Sequence, residues 1–169
     1  MLRPFANTTL VELAVKRLGK VKNFDGVYFG AHEDELLEVA RSGLPSSSIK
    51  IRTKEMANTD DMMLSYSWLH DIDFDYCMWI NSCHGHLKAE TLDQAAEAFR
   101  GGQYKSMTSA TKRYTWYYNQ DGEPVNNKDP LTQVTSQQSE FLYEVANAFH
   151  VFQKEHFFST KTYWNNIKN

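Results

Sequence analysis

The sequence predicts an α/β domain in which a mostly parallel sheet is covered by helices on both faces. Two observations lead to this fold class. Short apolar segments of strand type alternate with helical segments of about ten residues over the first two-thirds of the chain, which is the pattern of βαβ units. The segment Tyr76–Ile80 (YCMWI) is apolar throughout, as expected for a strand that is buried on both faces.

The first helix has the clearest start and stop signals in the chain. Thr9 and Glu12 have the spacing of a capping box, with Thr9 as the N-cap and Glu12 reaching back to it. Leucines and alanine then recur at helical spacing up to Leu18, and Gly19 ends the helix. We therefore expect an amphipathic helix between Thr9 and Gly19.

Hydrophobic periodicity and turn residues place the other elements, and together they suggest one domain over residues 1–169. Further helices are predicted over Glu33–Arg41, from Asn58–Asp61 onward with Thr59 as N-cap, over Lys88–Phe99, and as a single turn at Lys154–Phe158. Strands are predicted over Asp25–Gly30, Ser48–Arg52, Tyr76–Ile80, Lys105–Thr111, Tyr114–Tyr118 and Phe141–Phe152.

Composition excludes several classes of partner. The net charge of −3 provides no broad basic surface for nucleic acid. No apolar run approaches the roughly 20 residues of a membrane helix, and the N-terminal MLRPFANTTL lacks the apolar core of a secretory signal. Two cysteines, Cys77 and Cys83, are too few for a disulfide framework. We expect a cytoplasmic protein that binds neither nucleic acid nor membrane.

The segment INSCHGHLKAE (80–90) places Cys83, His84 and His86 within four residues. A zinc site is one interpretation, although zinc ligands in proteins usually have wider spacing. A reactive thiol is another, but no third group orients a histidine base toward Cys83. A ligand-binding loop between a buried strand and a helix N-terminus is the favoured functional interpretation. The structural alternative is a strand-to-helix connection in which polar side chains only satisfy backbone groups.

Five segments in order resemble the acylneuraminate cytidylyltransferases, the CMP-sialic acid synthetase group of glycosyltransferase-A-like nucleotide-diphospho-sugar transferases. The similar segments are ANTTLVELAVKRL, VYFGAHEDELLEVA, IRTKEMANTDDMM and WINSCHGHLKAETLD, followed near the end by FLYEVANAFHVFQKE. The resemblance covers almost the whole chain and depends on the order of the segments, because no single motif is diagnostic. It implies a three-layer α/β/α fold.

The resemblance also implies an activity and a set of site residues. Members of the family transfer CMP from CTP to a sialic-type sugar acid with Mg²⁺, and we expect CTP, a sugar acid and a second copy of the chain as partners. The nucleotide side would comprise Arg3, Asn58, Thr59, Asp60 and Asn81, with Lys16 and Arg17 near the triphosphate. The sugar side would comprise His84, His86, Gln137, Gln138 and Asn147.

The chain departs from the family in three places that concern charge. The glycine- and lysine-rich loop that grips the triphosphate precedes the first matching segment in the family, and the acidic metal segment follows the last one. Leu87 stands where the family has an arginine for the sugar carboxylate. No metal-ligating residue is therefore assigned, and the alternative function is a non-catalytic sugar- or nucleotide-binding or assembly module.

The family's first strand, which is central in its sheet, also has no counterpart in the matching segments. We expect the chain to be an incomplete or inactive cytidylyltransferase as it stands. Its neighbouring strands would then expose unpaired edges, unless another segment fills the position or the sheet rearranges.

Overall fold

The α/β fold class is confirmed by the computed structural model, which describes residues 1–101, 104–126, 135–136 and 139–163. The helices are α1 (Leu10–Leu18), α2 (Asp34–Arg41), α3 (Lys54–Asn58), α4 (Met62–Ser65), α5 (Ala89–Arg100) and α6 (Lys154–Thr160). The strands are β1 (Pro4–Phe5), β2 (Thr8–Thr9), β3 (Phe29–Ala31), β4 (Ile49–Ile51), β5 (Tyr76–Ile80), β6 (Ser106–Arg113) and β7 (Leu142–Gln153). No helix of the described residues has the length and apolar character needed to cross a membrane.

The chain folds into two compact units. The first contains Met1–Met107 and the segment from Ala148 onward, and the second contains Thr108–Asn147. The helices lie in the first unit. In the second, Arg113 forms an ion pair with Glu144, and the buried side chain of Asn126 donates hydrogen bonds to two backbone carbonyls.

The described strands form separate sheets, and their directions are more mixed than the sequence predicts. Strands β3 and β4 pair in parallel, with Gly30 opposite Lys50. Strand β5 pairs with β7 antiparallel, with Trp79 opposite His150, in a sheet of order β5-β7-β6. An apolar strand pattern indicates that both faces are covered but does not indicate strand direction. The prediction of a mostly parallel sheet is therefore wrong for the pair β5 and β7.

Helix α1 begins as predicted. The backbone N–H of Glu12 donates to Thr9 Oγ1 at 3.2 Å, and the Thr9 backbone N–H donates to the Glu12 carboxylate at 2.8 Å. These two bonds complete the capping box. The buried face of α1 packs against α2 in a cluster formed by Val11, Val15, Ala40 and Leu44.

Two apolar clusters cover the faces of β5 and β7. One contains Leu92 and Phe99 of α5 with Ala148, Phe149 and Val151 of β7. The other contains Leu69, Ile72, Phe152 and Phe157. Strand β5 contributes to both, with Met78 and Ile80 to the first cluster and Cys77 and Trp79 to the second. The apolar residues from Cys77 to Ile80 are therefore explained by contacts on both faces, whereas Tyr76 at the start of the strand is exposed.

Several predicted elements differ from the structure. Asp61, and not Thr59, is the N-cap of α4, because its carboxylate accepts from the backbone N–H groups of Met63 and Leu64 at 2.8 and 3.3 Å. The predicted strand Tyr114–Tyr118 is reduced to one bridge, from Tyr118 to Pro124. The predicted single turn after β7 extends to Thr160 as α6.

Candidate functional site

A groove of about 980 Å³ lies in the first unit. Its walls include the whole of β3 and the whole of β5. In the sheets that the described residues form, β3 pairs with β4 and β5 pairs with β7, so each of the two strands has an edge that is not covered by another strand. The groove therefore runs along two sheet edges of one unit.

The residues that follow the strands also line the groove. His32 follows β3, Arg52 follows β4, and Asn81 and Ser82 follow β5. In open α/β folds, ligands bind in the crevice at the carboxyl ends of the strands. The groove therefore includes this position, and it extends to the other ends of β3 and β5, where Tyr28 and Asp75 line it.

Two of the predicted nucleotide residues line this groove. Asn58 is exposed at the end of α3, where its side-chain amide donates to the Lys54 carbonyl at 2.7 Å. Asn81 follows β5, and its side-chain oxygen accepts from the Cys83 backbone N–H at 3.0 Å. Arg3, Thr59 and Asp60 are described but do not line it.

The loop after β5 is a compact turn. Besides the bond to Cys83, the Asn81 carbonyl accepts from the His84 backbone N–H at 3.3 Å. The Cys83 thiol is exposed and lies 4.0 Å from the Met1 sulfur, and the His86 ring is 6.0 Å from the Phe5 ring, centre to centre. These contacts are those of a structured connection, in which Asn81 and Ser82 alone of the loop residues line the groove.

No group of three His, Cys, Asp or Glu side chains within the described ranges is placed to hold a metal ion. The INSCHGH segment therefore provides no three-ligand zinc site from described residues.

The predicted sugar-side residues are dispersed. Gln137 and Gln138 lie outside the described residues. Asn147 is exposed, has a backbone φ of 51°, and belongs to the second unit. His84 and His86 do not line the groove. Leu87, at the position of the family arginine, packs against the apolar cluster of α5 and β7.

Sequence reasoning missed Arg52. Its guanidinium donates to the carbonyl of Met56 and to both oxygens of Ser65, while its Nε is buried without a hydrogen-bond partner. The available signal was its position, since a basic residue directly after β4 lies where ligands of α/β folds bind. The long-range contacts with Ser65 could not be inferred from spacing.

Two titratable groups in the wall of the groove remain protonated at neutral pH. Burial raises the pKa of the Cys77 thiol to about 12. Burial also raises the pKa of the Tyr66 hydroxyl, with smaller contributions from Tyr163 and Cys77. Because the thiolate is the nucleophilic form, Cys77 is a core residue and not a catalytic one.

Two solved enzyme structures are similar to this α/β fold. One is CMP:2-keto-3-deoxy-manno-octonic acid synthetase complexed with CTP, with a TM-score of 0.64 and 8% identity. That likeness covers 94% of this chain and 70% of the synthetase.

The second is 4-diphosphocytidyl-2C-methyl-D-erythritol synthase from Anaerococcus prevotii, with a TM-score of 0.67 and 11% identity over 98% of this chain and 70% of that one. No family model matches the sequence, and no curated protein matches it. At these identities, the likeness shows the shared fold alone.

Proposed function

We propose that this chain is a cytidylyltransferase-like protein that binds a CTP-type nucleotide in the groove of its first unit. The observation that carries the proposal is the groove itself. It runs along β3 and β5 and includes the residues that follow β3, β4 and β5, in a fold shared with one enzyme solved with CTP and another named for a cytidyl product. Asn58 and Asn81 supply amide groups for the nucleotide.

Titration calorimetry with CTP tests the binding. Asn58→Ala should weaken CTP binding about fivefold, because one hydrogen bond contributes about 1 kcal/mol. Glu55→Ala is the matched control, since Glu55 is exposed on the same helix and does not line the groove. No heat of binding with CTP at millimolar concentration would sink the proposal.

The finer proposal is transfer of CMP to a sialic-type sugar acid. In that reaction a sugar hydroxyl forms a bond to the α-phosphorus of CTP while the bond to the pyrophosphate leaving group breaks. His84, His86, Gln137, Gln138 and Asn147 remain the proposed sugar-side residues. Pyrophosphate release from CTP, with and without a sialic-type acid, is the measurement.

A non-catalytic nucleotide- or sugar-binding module is the second candidate function. Leu87 favours it, because its side chain packs into the apolar core and supplies no charge for a sugar carboxylate. CTP binding without pyrophosphate release, at any sugar acid concentration, would select this candidate over the enzyme.

A homodimer completes the proposal. The second unit exposes large apolar side chains that a small unit does not need for its own packing: Tyr114, Trp116, Tyr118, Val125, Phe141, Tyr143 and Val145. Light scattering should give twice the mass of the chain, and a monomeric mass at high micromolar concentration would contradict the dimer.

A further inference from the structure

Arg17, in the last turn of α1, is a buried cation. Its side chain is 5% exposed, and its Nη2 donates to the His84 carbonyl at 2.6 Å. Its Nε and Nη1 are covered and have no hydrogen-bond partner. None of the ion pairs formed by described residues includes Arg17.

This arrangement is costly for the protein alone. A buried charge without a counterion loses hydration that one carbonyl bond does not replace. Burial accordingly lowers the pKa of the Arg17 guanidinium. The helix C-terminus offsets a part of the cost, because its dipole favours a cation. A feature of this kind calls for an anion from outside the chain.

Arg17 lines the groove, and so does Arg52 with its own unpartnered Nε. The acidic residues that line it are all exposed, and Asp25 and Glu33 pair with Arg100 and His32. The remaining acids in the lining are Asp73 and Asp75. The buried charges of the groove are therefore positive, while its negative charges lie at the solvent side.

We infer that Arg17 is the buried countercharge for the phosphate groups of a ligand bound in the groove beside the loop after β5. The inference deepens the proposed function, on which it rests, by assigning a diphosphate group to this part of the groove. Because Nε and Nη1 are covered, the anion acts on the guanidinium across the protein atoms that cover it, or directly after the side chain rotates. The bond to His84 makes Arg17 a positioning residue for that loop as well.

Arg17→Met tests the inference with inorganic pyrophosphate as the probe. Calorimetry measures the binding affinity, and thermal unfolding measures the Tm. Pyrophosphate should raise the Tm of the parent chain, and Arg17→Met should bind it at least about tenfold more weakly. Without pyrophosphate, the Tm of Arg17→Met should equal or exceed that of the parent chain, because an uncompensated buried charge has been removed.

Lys20→Met is the matched control. It removes the same charge just after the end of α1, but Lys20 is exposed and does not line the groove. It should leave pyrophosphate affinity unchanged. Arg17→Lys keeps the charge and should lose less affinity than Arg17→Met; it replaces that variant if Arg17→Met fails to fold.

The outcomes separate this inference from the proposed function. Unchanged pyrophosphate affinity in Arg17→Met overturns the inference, as does a lower Tm with unchanged affinity, which would make Arg17 structural only. Pyrophosphate binding that depends on Arg17, without any preference for CTP over pyrophosphate, supports the inference but contradicts the nucleotide proposal. CTP binding that is unaffected by Arg17→Met contradicts the inference but supports the nucleotide proposal.

Discussion

His150 of β7 is a histidine enclosed by aromatic rings. It is 0% exposed and stacks with Trp79 and Tyr163, whose ring centres lie 5.5 and 4.5 Å away. Burial lowers the pKa of His150 in the folded protein. The unfolded chain therefore binds this proton at a higher pH than the folded protein does, and stability decreases as the pH falls below the unfolded pKa of about 6.5.

His150→Phe should reduce this pH dependence. We expect the free energy of unfolding of the parent chain to fall between pH 7 and pH 5.5, and to fall less in His150→Phe, which keeps a stacking ring but cannot be protonated. Urea denaturation at the two pH values measures the difference. His86→Phe, at an exposed position, is the control. Equal slopes for His150→Phe and the parent chain would contradict the prediction.

At this scale, local contacts could be predicted and distant ones could not. The capping box joins Thr9 to Glu12, three residues away, and its spacing alone indicates it. The bond from Arg17 to His84 joins residues 67 positions apart, and no pattern of neighbours encodes it. Asn58 and Asn81 both line the groove, but only the end of β5, before Asn81, could be located in the sequence, because α3 was not predicted.

The contact between α1 and the end of α2 depends on Gly43. A Cβ atom added to Gly43 would lie 2.5 Å from Val15 Cγ1, inside the apolar cluster of these helices. Gly43→Ala should therefore destabilise the protein by about 1–3 kcal/mol through overpacking. Urea denaturation measures the loss, and full stability of Gly43→Ala would show that the helices separate without cost.

A double-mutant cycle identifies the cause. Val15→Ala should be less damaging in the Gly43→Ala background than alone, because it removes the colliding methyl group. Gly101→Ala is the matched control at the end of α5, where an added Cβ meets only backbone oxygens at 3.7 and 3.9 Å. It should cost nothing, or stabilise by up to about 1 kcal/mol.

Helix ends show why element boundaries were less predictable than the elements. Thr59 and Asp61 are both good N-cap residues, and the sequence offers them two positions apart. The structure selects Asp61, since its carboxylate reaches two N–H groups, whereas Thr59 Oγ1 accepts from the Asp61 N–H at 3.0 Å. The choice depends on where α3 ends, which the sequence does not specify.

The arrangement of strands is the least local feature, and it was predicted least well. The apolar run of β5 correctly indicated apolar contacts on both faces, but its antiparallel partner begins 62 residues after it ends, counting from Ile80 to Leu142. The expected exposed edges concern the same two strands, β3 and β5, that line the groove. Access of a ligand to the groove therefore depends on these strand edges. Whether their backbone N–H groups are hydrogen-bonded can be measured.

Amide hydrogen exchange should distinguish the two edges of β5. The Asn81 N–H donates to the Ala148 carbonyl at 2.9 Å, so strand alternation directs the N–H groups of Cys77 and Trp79 toward β7 as well. Those of Met78 and Ile80 then point to the groove and should exchange faster, by NMR, than those of their neighbours. Equal protection of both sets would mean that another strand pairs with this edge. In that case the space beside β5 would hold a backbone segment, and the ligand would be confined to the strand ends at Arg52 and Asn81.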